Sequence, residues 1–188
     1  MRAEAAARLG LLALLVCGGA AADMPGVGEE APAWKLESIE GERVRFPAIS
    51  EGRPVLVLFW ATWCPYCKAL MPRLAELKAE FAQHDLGVYA IDFAEQGDPM
   101  PEIRARKLPL VFLLNGDSVA DRYGVAMVPA LFLIRDGRVV YQLDYPPPEH
   151  PSQKTESHAE KARLLAPWWE ERLRGVLREH LEMMPAAG

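Results

Sequence analysis

The sequence predicts an α/β layer fold: a mixed central sheet with flanking helices, a small hairpin before it and an extra C-terminal helical tail after it. Three observations point there. Pro54-Val-Leu-Val-Leu-Phe-Trp60 is an unbroken apolar run, which suits a strand buried on both faces. Directly after it, Leu70, Leu74, Leu77 and Phe81 recur at spacings of three and four, the single stripe of a helix packed on one side. Farther on, Asp136-Gly137 separates two apolar runs, a strong signal for a two-residue hairpin. Strands that alternate with helices and then pair directly give both parallel and antiparallel neighbours.

The elements follow in order. Residues 23–35 are rich in Pro, Gly and Glu and read as irregular. Trp34 to Ile39 and Val44 to Phe46, on either side of Gly41, read as the hairpin. Lys68, Arg73, Glu76, Lys78 and Glu80 fill the polar face of the first helix, and Pro72 predicts a kink in it. Gly87 to Phe93 reads as a strand, 99–107 as a short helix and Leu110 to Leu114 as a strand. The turn Asn115-Gly116-Asp117 can cap a short helix around 118–123. Ala130 to Ile134 and Val139 to Leu143 form the predicted final hairpin.

Composition shifts divide the chain into a signal peptide (1–22), the α/β domain (23–144), a proline-rich linker (145–157) and a helical tail (158–188). Pro167 is expected to interrupt the tail, whose apolar face carries Leu173, Val176, Leu177 and Leu181. Trp168-Trp169 reads as core rather than as a docking surface, the commoner fate of aromatics on an amphipathic helix. Near the N-terminus, Arg2 and Arg8 precede the apolar run Leu9–Val16, and Ala20-Ala21-Ala22 offers a cleavage site. Even extended to Ala22, that stretch has 14 residues, short of the ~20 that span a bilayer. Export with cleavage, to the periplasm, is the expectation; an uncleaved anchor or a lipid-modified Cys17 is the alternative.

A net charge of −5 and no contiguous basic stretch argue against nucleic acid as a partner. The three cysteines are Cys17, Cys64 and Cys67. Zinc would need two more ligands at ordered spacing, and His84, His150, His158 and His180 are scattered. Cleavage near Ala22 leaves one Cys-x-x-Cys pair in a compartment where disulfides persist. A disulfide closing so short a loop is a poor staple, so its use is chemical. Cys64 stands where the buried strand ends and the helix begins. Helix N-termini offer unpaired N–H groups and partial positive charge, and both favour the nucleophilic thiolate. Pro65 suits the first helical position. Cys67 lies about one turn deeper, placed to resolve a mixed disulfide formed at Cys64.

Trp60-Ala-Thr-Trp63-Cys64-Pro65-Tyr66-Cys67 resembles the active-site segment of the thioredoxin superfamily. The exported TlpA/ResA-like thiol-disulfide oxidoreductases match better. They share the preceding hairpin, a proline five residues after the second cysteine (Pro72) and the segment Tyr123 to Ile134, a resemblance over about residues 28–144. It implies a thioredoxin-like fold and an enzyme for dithiol/disulfide exchange that needs no dissociable cofactor. It implies that Pro129 is cis beside the cysteines, with Val128 offering its backbone to an extended substrate. Trp60 and Trp63 would shape the site, and Trp63, Pro65 and Tyr66 would face the substrate. Partners would be protein thiols or disulfides, with electrons from an upstream thiol protein, membrane-bound or soluble. The implied direction is reduction, including the cysteines that attach haem in cytochromes.

The sequence also departs from that pattern. Acids that such proteins carry at two places are replaced here by Leu58 and Leu70. Asp92 and Glu95 are the nearest candidates for helping to deprotonate Cys67, against the plainer reading of solvated strand-end charges. Lys68 reads as exposed. Pro65-Tyr66 is glutaredoxin-like in letters, but no glutathione site is read from it. A peroxiredoxin would want Thr and Pro where Ala61 and Val57 stand. A thiol oxidant, a copper-binding or copper-delivery module and a non-enzymatic binding module remain the rivals.

Overall fold

The computed structural model describes residues 23–181. The signal peptide read in residues 1–22, with Cys17, lies outside the described residues. The hairpin is β1 (Trp34–Glu37) and β2 (Arg43–Phe46). The main elements that follow are β3 (Val55–Trp60), α1 (Pro65–Glu80), β4 (Gly87–Asp92) and α2 (Met100–Arg106). Next come β5 (Val111–Leu113), α3 (Asp117–Arg122), β6 (Ala130–Arg135), β7 (Arg138–Gln142) and α4 (His158–Leu181).

Five strands form the central sheet in the order β5-β4-β3-β6-β7. β3, β4 and β5 run parallel; β6 and β7 are antiparallel additions beside β3. β3 and β4 are buried at every position, as continuous apolar strands must be when both faces are covered. Asp136 (φ 50°) and Gly137 (φ 76°) make the β6–β7 turn, both left-handed as a tight hairpin turn of this twist requires. One sheet face packs under α1 and α4 around Leu56, Leu58, Trp60, Leu70, Leu74 and Trp169. The other packs under β1–β2 and α3 around Val57, Phe59, Tyr123 and Phe132. This is the predicted three-layer thioredoxin-like architecture.

The tail helix is not interrupted at Pro167, and α1 continues past Pro72. Pro72 lies inside α1 and Pro167 inside α4. An internal proline has no N–H for the carbonyl four residues back. In α1 that carbonyl belongs to Lys68, and Arg106 Nη1 donates to it at 3.0 Å. A guanidinium from α2 thus replaces the missing backbone bond. In α4 the corresponding carbonyl is that of Arg163, an exposed residue that water can serve.

The tail shares the main core. Leu165, Trp169, Leu173, Leu177 and Leu181 lie in one buried cluster with Leu70, Met71, Leu74 and Leu77 of α1. Arg174 Nε donates to Glu80 at 2.8 Å across the two helices. The segment entering the tail is held too: Trp169 Nε1 donates to the Asp144 carbonyl at 2.9 Å, and Arg172 Nε to its carboxylate at 3.0 Å.

Candidate active site

Cys64 and Cys67 are joined by a disulfide, with their Cα atoms 5.3 Å apart. Cys64 is the N-cap of α1 and Pro65 its first helical residue. The Cys67 N–H donates to Cys64 Sγ at 3.1 Å, so an orphan donor of the first turn is aimed at that sulfur. Trp60 is fully buried in the same cluster as both cysteines. Cys64 is 1% exposed and Cys67 0%.

The other residues singled out in the sequence are placed as follows. Trp63, 49% exposed, stands over the loop after β4 and donates from Nε1 to the Ala94 carbonyl at 2.9 Å. Tyr66, between the cysteines, lines a cavity of about 270 Å³ together with Val128 and Pro129. The Val128–Pro129 bond is cis, the form that the resemblance implies. The same cavity is lined by Tyr145, Pro146, Ser152 and Gln153 of the linker and by Lys161, Leu165 and Trp169 of the tail. Tyr66 also reaches the start of α4, its phenol oxygen 2.7 Å from His158 Nδ1. Burial pushes the Tyr66 phenol up, which keeps it protonated and able to donate.

Comparison with known proteins decides the family. The model of the AhpC/TSA family matches residues 27–142, more than half of the sequence. This chain belongs to the AhpC/TSA family. Over 121 residues it is 31% identical to the thiol-disulfide oxidoreductase ResA of Bacillus thuringiensis (strain Al Hakam), covering 62% of this chain and 69% of that one. Among solved structures it is similar to a protein of Chlorobium tepidum assigned as the thiol:disulfide interchange protein DsbE. That match has TM-score 0.58 and 26% identity and covers 74% of this chain and 99% of that one. A hypothetical protein of Sinorhizobium meliloti 1021 shares the fold at TM-score 0.61 and 23% identity, over 86% and 87% of the two chains. With such relatives and its Cys-x-x-Cys disulfide, this AhpC/TSA member is a thiol-disulfide oxidoreductase.

In this AhpC/TSA chain the two candidate acids are not the solvated strand-end charges of the plainer reading. Glu95 binds the segment before the cysteines, accepting from the Thr62 N–H at 2.8 Å and from its hydroxyl at 2.7 Å. Burial works against its charge. Hydrogen bonds from the Thr62 hydroxyl and N–H, and from the Gln96 and Gly97 N–H groups, nevertheless hold the carboxyl below its usual range. Ala94, left-handed at φ 52°, is held in turn by Asp117, which accepts its N–H at 3.1 Å.

Asp92 is 6% exposed. It pairs in register with Trp60, so strand alternation puts its side chain on the sheet face that α1 covers. Its carboxylate accepts the Gly116 N–H at 3.2 Å. Only glycine fits at 116, because a Cβ there would collide with Ile91 and with the Asp92 carbonyl. Burial pushes the Asp92 carboxyl up, against hydrogen bonds from Gly116 and Asn115, and the charges of Asp117 and Glu95 add to the rise. Lys68, expected to be exposed, is half-buried and 3.6 Å from Glu102, which also binds Arg106 at 2.7 Å.

Sequence reasoning missed His158 and the tail wall. The only prior signal was the pair Trp168-Trp169 on an apolar helix face, and that pattern does not say which surface the face covers.

Proposed function

We propose that this chain is an exported protein disulfide reductase that passes electrons through Cys64 and Cys67 to cysteines of partner proteins. The observation that carries the reading is the Cys67 N–H on Cys64 Sγ at the start of α1. That donor, with the helix N-terminus behind it, stabilises negative charge on Cys64 once the disulfide is reduced.

The chemistry runs in two exchanges. The Cys64 thiolate attacks a partner disulfide; a Cys64–partner bond forms, the partner's S–S bond breaks, and its second sulfur leaves and takes up a proton. Cys67 then gives up its proton and attacks the Cys64 sulfur. The Cys64–Cys67 bond forms, the mixed disulfide breaks, and the last partner sulfur leaves as a thiol. Two electrons have moved to the partner, and an upstream dithiol protein, membrane-bound or soluble, returns two. Val128 and Pro129, with Trp63, Pro65 and Tyr66, form the wall against which an extended partner segment lies. The 22 residues before the described chain carry the export signal in this reading, and the compartment is the periplasm. A peroxidase is not favoured, because Ala61 and Val57 stand where its reactive loop wants Thr and Pro.

The test is the equilibrium reduction potential of the Cys64–Cys67 pair, titrated against a glutathione or dithiothreitol couple. A value near ~−270 mV supports a reductant. A value near ~−120 mV makes the protein an oxidant that places disulfides in others and overturns the proposal.

A further inference from the structure

The family match ends at residue 142, yet most of the cavity that Tyr66 lines is built from later residues. Tyr66, Val128 and Pro129 come from the matched domain; Tyr145, Pro146, Ser152 and Gln153 follow it in the linker, and Lys161, Leu165 and Trp169 in α4. We infer that the C-terminal extension makes this cavity a specificity pocket, which takes a large apolar side chain next to the reacting cysteine of the partner, with an acidic neighbour facing Lys161. The inference rests on the reductase reading above and names the kind of partner that reading leaves open.

Size, lining and position support this occupant. At about 270 Å³ the cavity is below the roughly 300–1,000 Å³ of small-molecule sites, which favours one side chain over a cofactor. Val128, Pro129, Pro146, Leu165 and Trp169 give the lining its apolar part, and Ser152, Gln153 and Lys161 its polar part, so an apolar group seated against the first set leaves water for a matched surface. The cavity is continuous with the proposed substrate wall, because Tyr66 lies between the two cysteines and Pro129 belongs to the cis turn. Of the five large exposed apolar residues among those described, Trp63, Met127 and Tyr145 are three. Trp63 adjoins Cys64 in sequence, while Met127 and Tyr145 line a second cavity that shares Pro129. Apolar exposure gathered at one place marks an interaction surface. Lys161 has no ion pair among the described residues, so a carboxylate on the partner would meet an unmatched charge.

The cavity also explains why the tail is secured at its entry. Asp144 is clamped by Trp169 and Arg172, and Tyr66 is tied to His158. A pocket whose two walls come from distant segments recognises a side chain only if those walls keep their spacing.

The experiment uses short peptides carrying one cysteine as a mixed disulfide with glutathione, with Phe or Ala next to the cysteine and Glu or Lys one residue farther on. Their reduction by the reduced full-length protein is followed as kcat/KM, with hydroxyethyl disulfide as a small substrate that has no side chain to seat. The wild type is expected to prefer Phe over Ala by about 10–100-fold. Gln153→Trp, at an exposed position in the cavity lining, should bring that ratio close to one by occupying the cavity. Lys161→Glu should reverse the Glu-over-Lys preference while leaving the Phe-over-Ala ratio in place. Equal rates for Phe and Ala peptides in the wild type, with both reduced, would overturn the pocket and leave the reductase reading standing. Reduction of neither the peptides nor hydroxyethyl disulfide would sink the reductase reading, and the pocket with it.

Discussion

Replacing Glu95 by Gln tests how the segment carrying the cysteines is held. The carboxylate accepts two hydrogen bonds from Thr62, at 2.8 and 2.7 Å. Glutamine keeps the shape but has one acceptor oxygen and no charge. Hydrogen bonds to a charged group contribute about 1.5–3 kcal/mol each; partial exposure screens this pair, leaving a loss of about 1–2 kcal/mol. For a protein of this size that lowers Tm by about 2–8 °C at neutral pH. The sign with pH follows from the depressed carboxyl of Glu95. Its stabilisation is present above the unfolded value near pH ~4.3 and is lost as pH falls through the lower folded value. Thermal melts of wild type and Glu95→Gln at pH 7, 5 and 3.5 should therefore show a gap that narrows only in acid. A gap that is constant, or wider at pH 3.5, would mean that the carboxylate charge is not what holds Thr62.

Three other outcomes are expected. Cys64→Ser should abolish insulin reduction, and Cys67→Ser should trap the partner as a mixed disulfide visible on a non-reducing gel; unchanged insulin reduction in both would refute the exchange chemistry. Leu177→Ala, at a fully buried site facing α1, should cost about 3–5 kcal/mol in one cooperative transition. If the main transition stays put while a minor one shifts, α4 melts apart from the rest. Asp92→Asn should gain stability relative to wild type as pH rises from 4 to 7, because the wild-type carboxyl has its folded value raised and is penalised above the unfolded one. Urea denaturation at the two pH values checks the sign, and a larger deficit for Asn at pH 7 would contradict it.

Much of this architecture was legible in the sequence because one dominant cue marks each part. The run Val55–Trp60 is buried on both faces as its composition demands, and Asp136-Gly137 turns where turn chemistry says it must. The cysteine pair was legible for the same reason, since a strand end, a cap position and Pro65 coincide there. The parts that were not legible depend on partners remote in sequence. Pro72 leaves the Lys68 carbonyl without its helical donor, and the donor that replaces it, Arg106, lies 38 positions away from Lys68. Glu95 reads as a solvated charge, but the left-handed Ala94 turns it back onto Thr62, 33 residues earlier.

The tail shows how the same gap bears on function. The proline-rich linker at its entry lacks backbone donors that would fix the chain in place. The structure supplies those donors from elsewhere: Trp169 and Arg172 reach back to Asp144. Beyond that joint, Leu173, Leu177 and Leu181 share a buried cluster with α1, the helix that begins at Cys64. In the pocket inferred above, a helix that packs on α1 and also lines the cavity at Tyr66 would tie recognition to the core. Substitutions that loosen its packing should then reduce discrimination between peptides before they reduce attack on hydroxyethyl disulfide, which needs only Cys64, Cys67 and the first turn of α1.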